Sequence, residues 1–261
     1  PAPPDAGWDW SNDGPIRFAD NKDGEVVYAN NVPSYQGKAK VTNHPVTPAA
    51  SNNVPVTEHE RLKAKRITTP SGKTVLDFGQ NIAGYAEFTV TAHIGQKIKL
   101  RFGELLDENG EFTQKNIQCS SKKITTPLQQ VIYTCKEGKN HYKTKFAIFG
   151  FQYVRVGTDI DIDPENFTAI AVYSDMDETG YFNSSNELLN KFVEATKWSA
   201  KGNSTDLPTD CPTRERHGWT GDAQIFFNTA AYLFDYASFA QKYMRDVYDW
   251  QKKDGKLPQI A

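Results

Sequence analysis

DLPTDCPTRERHGWTGDAQ, residues 206–224, is the stretch on which the reading of this chain turns. It gathers Asp206, Asp210, Arg214, Glu215, Arg216, His217, Trp219 and Asp222 within seventeen positions. Pro208, Pro212, Gly218 and Gly221 interrupt it, so it reads as a loop rather than one regular helix or strand. What lies on either side decides its context. Upstream, apolar residues recur with the short alternation of strands. Downstream and just before it, they recur at helical intervals, and the loop falls between the first and second of the helices so marked.

The helical side begins near Asp175. Asn186 to Ala200 places Leu188, Leu189, Phe192, Val193, Thr196 and Trp198 at mostly helical steps, with Ser184 or Ser185 as the expected N-cap. Gly221 to Phe234 is a second helix, with Asp222 early enough to face its free N-terminal amides. After Asp235, the set Tyr236, Phe239, Ala240, Tyr243, Val247 and Trp250 climbs one face of a third.

The β side runs from about Glu58 to Ser174. Thr74 to Phe78, Glu87 to Thr91, Lys97 to Phe102, Gln130 to Cys135, Tyr142 to Ile148, Phe151 to Val156 and Thr168 to Tyr173 read as short strands. Gly79 and Gly84 are expected to break the first from the second. The preferred reading of Asp77 to Asn81 is a strand end followed by a tight turn. Several such strands without helix-period segments imply an antiparallel two-sheet sandwich. Residues 1–57 are rich in Pro, Gly, Asn and Ser. Within them Pro15 to Phe18 and Glu25 to Tyr28 are candidate strands, and Asn43 to Asn53 is an extended connector. The expected organisation is the end of an upstream β-domain and linker over 1–57, a sandwich over 58–174, and a helical domain from 175 to 261.

Composition narrows the function. The 261 residues carry a formal net charge of -2, which is no polyanion-binding signature, so nucleic acid is not expected as a partner. No run of eighteen apolar residues suggests a membrane span. The start, PAPPDAGWDW, has neither an initiator Met nor the order of a signal peptide, and both ends read as internal. The compartment stays open, a periplasmic or secreted setting being favoured over the cytoplasm. Cys119, Cys135 and Cys211 are three widely spaced cysteines without a metal-ligand or disulfide pattern, and no metal or cofactor is expected. The glycines near Gly79 lack the Lys and Ser/Thr of a phosphate loop. Fifteen Phe, twelve Tyr and five Trp suit thick cores and also the faces of sugars.

Within the loop, Glu215 is the leading candidate for proton transfer. Asp210 and Asp222 add carboxylates whose proximity, with burial, favours an acid role, whereas Arg214 and Arg216 suit a structural ion-pair network. Trp219 between Gly218 and Thr220 suits either a sugar ring or a domain interface. His217 stands alone, without a second ligand at a zinc spacing. Cys211 reads as a small apolar filler.

Several separated segments together resemble one family. PTDCPTRERHGWTGDAQ is similar to the signature around the catalytic acid of bacterial alpha-L-rhamnosidases of glycoside hydrolase family 78. VLDFGQNIAGYAEFTV, GQKIKLRFGELLDENG and FAIFGFQYVRVG resemble the β-sandwich that precedes the family's catalytic domain, and GPIRFADNKDGEVVYAN the end of a further β-domain. The resemblance implies that 175–261 is the first part of an (α/α)6 toroid that removes terminal alpha-L-rhamnose with inversion. It puts Glu215 at the general acid, Asp210, Arg214 and Asp222 at residues that bind rhamnose hydroxyls, and Trp219 at an aromatic lining the sugar. The spacing before Glu215 is one residue shorter than is common in the signature, and His217 stands where Leu is usual.

An inverting glycosidase also needs a carboxylate to activate water, roughly 6.5–9.5 Å from the acid. The resemblance places it downstream of Ala261, so the implied partners are a rhamnose-containing glycan and the remainder of the catalytic domain. On this view the 261 residues alone have little activity. The competing readings are a non-catalytic carbohydrate-binding or structural module, with aromatic platforms on the sandwich, and a toroid glycosidase for another sugar.

Overall fold

The computed structural model describes residues 7–40, 47, 50–119 and 126–261. Most of the expected connector from Asn43 lies outside these residues. In chain order the strands are β1 (Asp9–Trp10), β2 (Ile16–Asp20), β3 (Gly24–Tyr28), β4 (Gly37–Lys38), β5 (Val56–Lys63), β6 (Lys65–Thr68) and β7 (Thr74–Ala92). They continue as β8 (Lys97–Gly103), β9 (Gln130–Thr134), β10 (Gly138–Lys143), β11 (Phe149–Gly157), β12 (Phe167–Ser174), β13 (Ser204–Thr205) and β14 (Leu207–Pro208). Among the described residues three α-helices follow, α1 (Glu187–Gly202), α2 (Thr220–Leu233) and α3 (Ala237–Asp249), and two single 3-10 turns, Lys115–Ile117 and Pro164–Asn166, lie among the strands.

Ten strands hydrogen-bond into one continuous network, in the order β2-β3-β9-β8-β11-β7-β12-β5, with β6 and β10 also paired to β7. The network folds over on itself. Phe88 of β7 meets Tyr133 of β9 edge-on, with ring centroids 5.3 Å apart, although β8 and β11 lie between those strands. Three strand spacings would hold them about 14 Å apart in a flat sheet. The contact therefore joins two facing layers, as the alternating sequence pattern implies. In β8, Ile98, Leu100 and Phe102 are buried while Lys97, Lys99 and Arg101 are not.

The strand β7 links the two layers. Its first part pairs with β6 and β11, and its second part with β12 and β10. Gly79 and Gly84 do not break it, contrary to the sequence expectation. The irregularity is instead a bulge: Phe151 faces Ile82 and Tyr153 faces Asp77, so residues 78–81 stand opposite Gln152 alone. Gly79 sits there at φ +76°, a conformation costly for residues with a Cβ. The Asp77 side chain accepts from the Gly79 N–H at 2.8 Å and from Gln152 Nε2 at 3.0 Å. Gly84 is small because β12 passes against it; a Cβ there would lie 1.9 Å from the Ile170 carbonyl oxygen.

The hairpin β2–β3 joins the same network, β3 running parallel to β9 from Gly24 opposite Gln130 to Tyr28 opposite Thr134. It is pinned by a buried carboxylate. Glu25 accepts from the N–H groups of Lys145, Phe146 and Ala147 at 2.6–3.0 Å and from the Tyr142 hydroxyl.

The helices form a second core of Met176, Ala200, Ala230, Phe234, Tyr236 and Phe239, beside a smaller one of Ala223, Tyr243 and Val247. Asn186, not Ser184 or Ser185, caps α1, its side chain accepting from Leu188 N–H at 2.9 Å and Leu189 N–H at 3.4 Å. Ser184 acts one step earlier, its hydroxyl accepting from the Asn186 N–H. The helices meet the sandwich through Lys201 of α1, which pairs with Glu60 of β5 at 2.9 Å and with Glu178 at 2.8 Å. Leu188, Phe192, Ile225, Tyr232 and Trp250 stay exposed, so the helical faces carry more apolar surface than these residues cover. No described helix is long and apolar enough to cross a membrane.

Candidate active site

The loop between α1 and α2 is tied down at its start. Asp206 lies at φ +66° in the turn joining β13 to β14, a conformation that costs a non-glycine residue about 1–2 kcal/mol. Its N–H donates to Ser174 Oγ at 3.0 Å, and its carboxylate accepts from Lys242 of α3 at 2.9 Å and Asn53 at 3.0 Å. Burial pushes the Asp206 pKa up, but the hydrogen bonds from Lys242 and Asn53 outweigh it and hold the group below its ordinary value.

Asp210 and His217 then close the loop into a ring. The Asp210 N–H donates to the His217 carbonyl at 3.1 Å, and the His217 N–H donates back to Asp210 Oδ1 at 3.0 Å. Everything between them, Arg214, Glu215 and Arg216 included, is carried on that closed turn. Immediately after it, Gly218 is enclosed. Its carbonyl accepts from the Tyr243 hydroxyl at 2.7 Å and from the Ala261 N–H at 3.0 Å. A Cβ on Gly218 would lie 2.5 Å from the Ala261 carbonyl oxygen, so only glycine fits. Trp219 is the N-cap of α2, and Thr220 donates from N–H and Oγ1 to the Gln259 carbonyl.

Glu215 is gripped at both oxygens and at both ends of its main chain. Arg214 Nη2 donates to Oε1 at 3.2 Å and Trp219 Nε1 to Oε2 at 3.1 Å. Its N–H donates to Cys211 Sγ at 3.3 Å, and its carbonyl accepts from Lys22 Nζ at 2.6 Å. The side chain remains 31% exposed, more open to solvent than the buried acid that an enclosed site suggests. Arg216, beside it, has φ +56°. Burial pushes its guanidinium down to about 10, against the pull of Cys211 and Asp20, which leaves it charged at neutral pH.

The five candidate residues fall into two groups. Arg214, Glu215 and Trp219 form one hydrogen-bonded unit. Asp210 and Asp222 line a cavity of about 500 Å3 between the end of α1, the loop and the first turns of α2, with Ser199, Ala200, Phe226 and Tyr236 on its walls. The loop joins the two groups, since Asp210 grips His217 two positions after Glu215. Among the described residues no ion pair links Asp210 to Arg214, so that pair is not the salt-bridge core of a purely structural network. His217 contributes its main chain, its side chain being exposed. Cys211 is more than a filler, as its sulfur receives the Glu215 N–H. Lys22 and Gln129, which also reach this loop, carried no signal in the sequence because their partners lie far along the chain.

Two family models divide most of the chain between them. Residues 67–173 match the bacterial alpha-L-rhamnosidase concanavalin-like domain, and residues 177–261 match the bacterial alpha-L-rhamnosidase six-hairpin glycosidase domain. The chain belongs to the bacterial alpha-L-rhamnosidase family. An alpha-L-rhamnosidase of Formosa agariphila is 32% identical over 273 aligned residues, which take in 97% of this chain and 28% of that relative. Among solved structures, the Streptomyces avermitilis alpha-L-rhamnosidase complexed with L-rhamnose superposes with a TM-score of 0.85 at 30% identity, over 95% of this chain and 25% of that one. The native alpha-L-rhamnosidase of Aspergillus terreus gives 0.82 at 33% identity, over 95% and 30%. The chain thus spans between a quarter and a third of the length of these rhamnosidases. Their shared architecture accounts for both halves seen here, a mostly β region followed by the opening helices of a helical toroid.

Proposed function

We propose that this chain is part of a glycoside hydrolase that removes terminal alpha-L-rhamnose with inversion of configuration, Glu215 being its general acid. The observation that carries the reading is the match of residues 177–261 to the six-hairpin glycosidase domain, a segment that contains the whole loop. The rhamnose held by the Streptomyces avermitilis relative supports the choice of sugar.

In this reading Asp210 and Asp222 receive rhamnose hydroxyls in the cavity they line, and Trp219 offers its ring to the sugar while its N–H aims the acid. Each Glu215 oxygen accepts one hydrogen bond and keeps a further lone-pair site, so the carboxyl can hold the proton it delivers with both contacts in place. The Arg214 contact is the one that the substrate can draw away. It is a single hydrogen bond from a half-exposed side chain, and Arg214 is then free to bind a sugar hydroxyl. The resemblance to the family, which gives Asp210 and Asp222 to the substrate, supports putting the carboxylate that activates water in a part of the catalytic domain outside these 261 residues.

The test uses the longer protein that contains this chain, assayed on an alkyl alpha-L-rhamnoside, whose basic leaving group needs the proton, beside its Glu215→Gln variant. Removal of a general acid costs on the order of 10²–10⁴-fold in rate. Unchanged turnover in the variant removes Glu215 from that role; absence of turnover in the parent removes the substrate class. Proton NMR of the first sugar released reports the anomer and so the stereochemistry.

A further inference from the structure

The main chain at Glu215 is held from the far end of the sequence. Lys22, in the turn between β2 and β3, reaches the Glu215 carbonyl across 193 positions. Arg216 returns to the same turn, donating from Nη1 to the Asn21 carbonyl. It also donates from Nη2 to Gln129 Oε1 at 3.2 Å and from Nε to the Thr213 carbonyl at 3.1 Å. These grips fall on either side of one peptide unit, the one joining Glu215 to Arg216, at a point where Arg216 adopts the left-handed conformation.

The holding elements are themselves rigid. Asp20 Oδ1 accepts the N–H groups of Lys22 and Asp23 at 2.8 and 2.7 Å, and the Lys22 carbonyl accepts from the Gln129 N–H at 3.2 Å. Gln129 is fully buried, and its side chain bridges the Phe102 carbonyl and both backbone groups of Gly150. A continuous path of hydrogen bonds therefore runs from the sheet, through Gln129 and the hairpin turn, to the residue that carries the acid. Two of the Arg216 acceptors are main-chain carbonyls and the third is a side-chain amide; among the described residues no carboxylate forms an ion pair with it. That arrangement fixes a place more than it neutralises a charge.

We propose that Lys22 and Arg216 are positioning residues for Glu215, and that the β2–β3 turn sets the aim of the proton donor. The proposal rests on the acid role given to Glu215 above. It assigns the first strands a part in the chemistry, where domain packing alone would give them only a part in stability. Rates are sensitive to such placement: a 1 Å displacement of a catalytic group costs on the order of 10²-fold.

The distinguishing measurement is leaving-group dependence. A misplaced general acid slows the departure of a basic alkoxide, which needs its proton, and hardly slows a dinitrophenolate, which does not. In the longer protein, Lys22→Met is expected to lower kcat about tenfold on an alkyl alpha-L-rhamnoside and less than about twofold on the dinitrophenyl substrate, with KM little changed. Lys22→Arg, which keeps a donor, should recover most of the loss. Arg216→Met should show the same selectivity; if it does not fold, Lys22→Met, at a partly exposed side chain, decides alone. Equal losses on both substrates, or none, overturn the positioning role. Glu215→Gln is run alongside: if it shows no leaving-group selectivity, the acid assignment itself fails, and the two failures are told apart.

Discussion

The indole nitrogen of Trp219 donates to Glu215 Oε2 at 3.1 Å, from the N-cap position of α2 to a carboxylate four positions earlier. Trp219 can do this because it makes no side-chain cap to its own helix. Replacing it by Phe keeps an aromatic ring and deletes the donor together with the second ring. A hydrogen bond to an ionisable group is worth about 1.5–3 kcal/mol, so Trp219→Phe is expected to lower kcat/KM on an aryl alpha-L-rhamnoside by roughly 10- to 100-fold. Steady-state kinetics beside a thermal melt separates this from loss of fold.

Glu25 is the second test, of stability rather than rate. Its carboxylate accepts from three successive N–H groups and a tyrosine hydroxyl while 1% exposed. Glu25→Gln sets an NH2 group against donors. The unsatisfied groups are expected to cost on the order of 3 kcal/mol, read as a lowered midpoint in urea denaturation.

The ionic link between the sandwich and α1 makes stability fall in acid. Burial pushes the Glu60 and Glu178 pKa values up, but hydrogen bonds from Lys201 hold both below their ordinary value of 4.5. Groups with depressed native pKa values stabilise fully above the unfolded value and lose that contribution as pH falls through the native ones. Lys201, raised against its burial by the same carboxylates, stabilises fully below its ordinary value of 10.5 and loses this as pH rises from there through its raised native value. Thermal midpoints should therefore hold steady between about pH 5 and 10 as far as this link is concerned, and drop below about pH 4.5. In Lys201→Met the acid-side drop should be shallower, because the carboxylates lose the cause of their depression. An unchanged slope would mean the link carries no pH dependence.

Gly84→Ala should be severe for so small a change. The added methyl would meet the Ile170 carbonyl oxygen of β12 at 1.9 Å, and main chain cannot swing aside as a flexible side chain can. The strands must separate locally, at a cost of about 3 kcal/mol or more. Gly79→Ala, where a Cβ meets nothing within 4 Å but φ is +76°, should cost only about 1 kcal/mol.

Periodicity made the broad architecture readable because each layer buries one face. The alternation of Ile98, Leu100 and Phe102 with charged residues marks β8, and the spacing of Phe239, Tyr243 and Val247 marks α3. The glycine rule failed at β7 because Gly79 and Gly84 answer tertiary demands, a bulge and a close approach, rather than ending a strand. Asn186 displaced Ser184 and Ser185 as cap because helix α1 starts one residue further on, where an amide oxygen reaches the free N–H groups. Glu215, Arg214 and Trp219 stood out as a cluster because they are neighbours in sequence. Lys22, Gln129 and Asn53 did not, because only the fold brings them near.

The parallel pairing of β3 with β9 carries a consequence for how the chain comes into being. About a hundred residues separate Gly24 from its partner Gln130, so the hairpin leaves the ribosome long before the strand it needs exists. Closing so long a loop is slow and entropically uphill, and the hairpin's nearest docking surface forms only with the rest of the sandwich. Of the two paired strands, the one synthesised earlier thus waits for the later one before it finds its place. Until it does, the buried pocket for Glu25 stays open and the turn around Lys22 is not there to meet the loop. The setting of Glu215 would then be complete only once strands made about a hundred residues apart have paired.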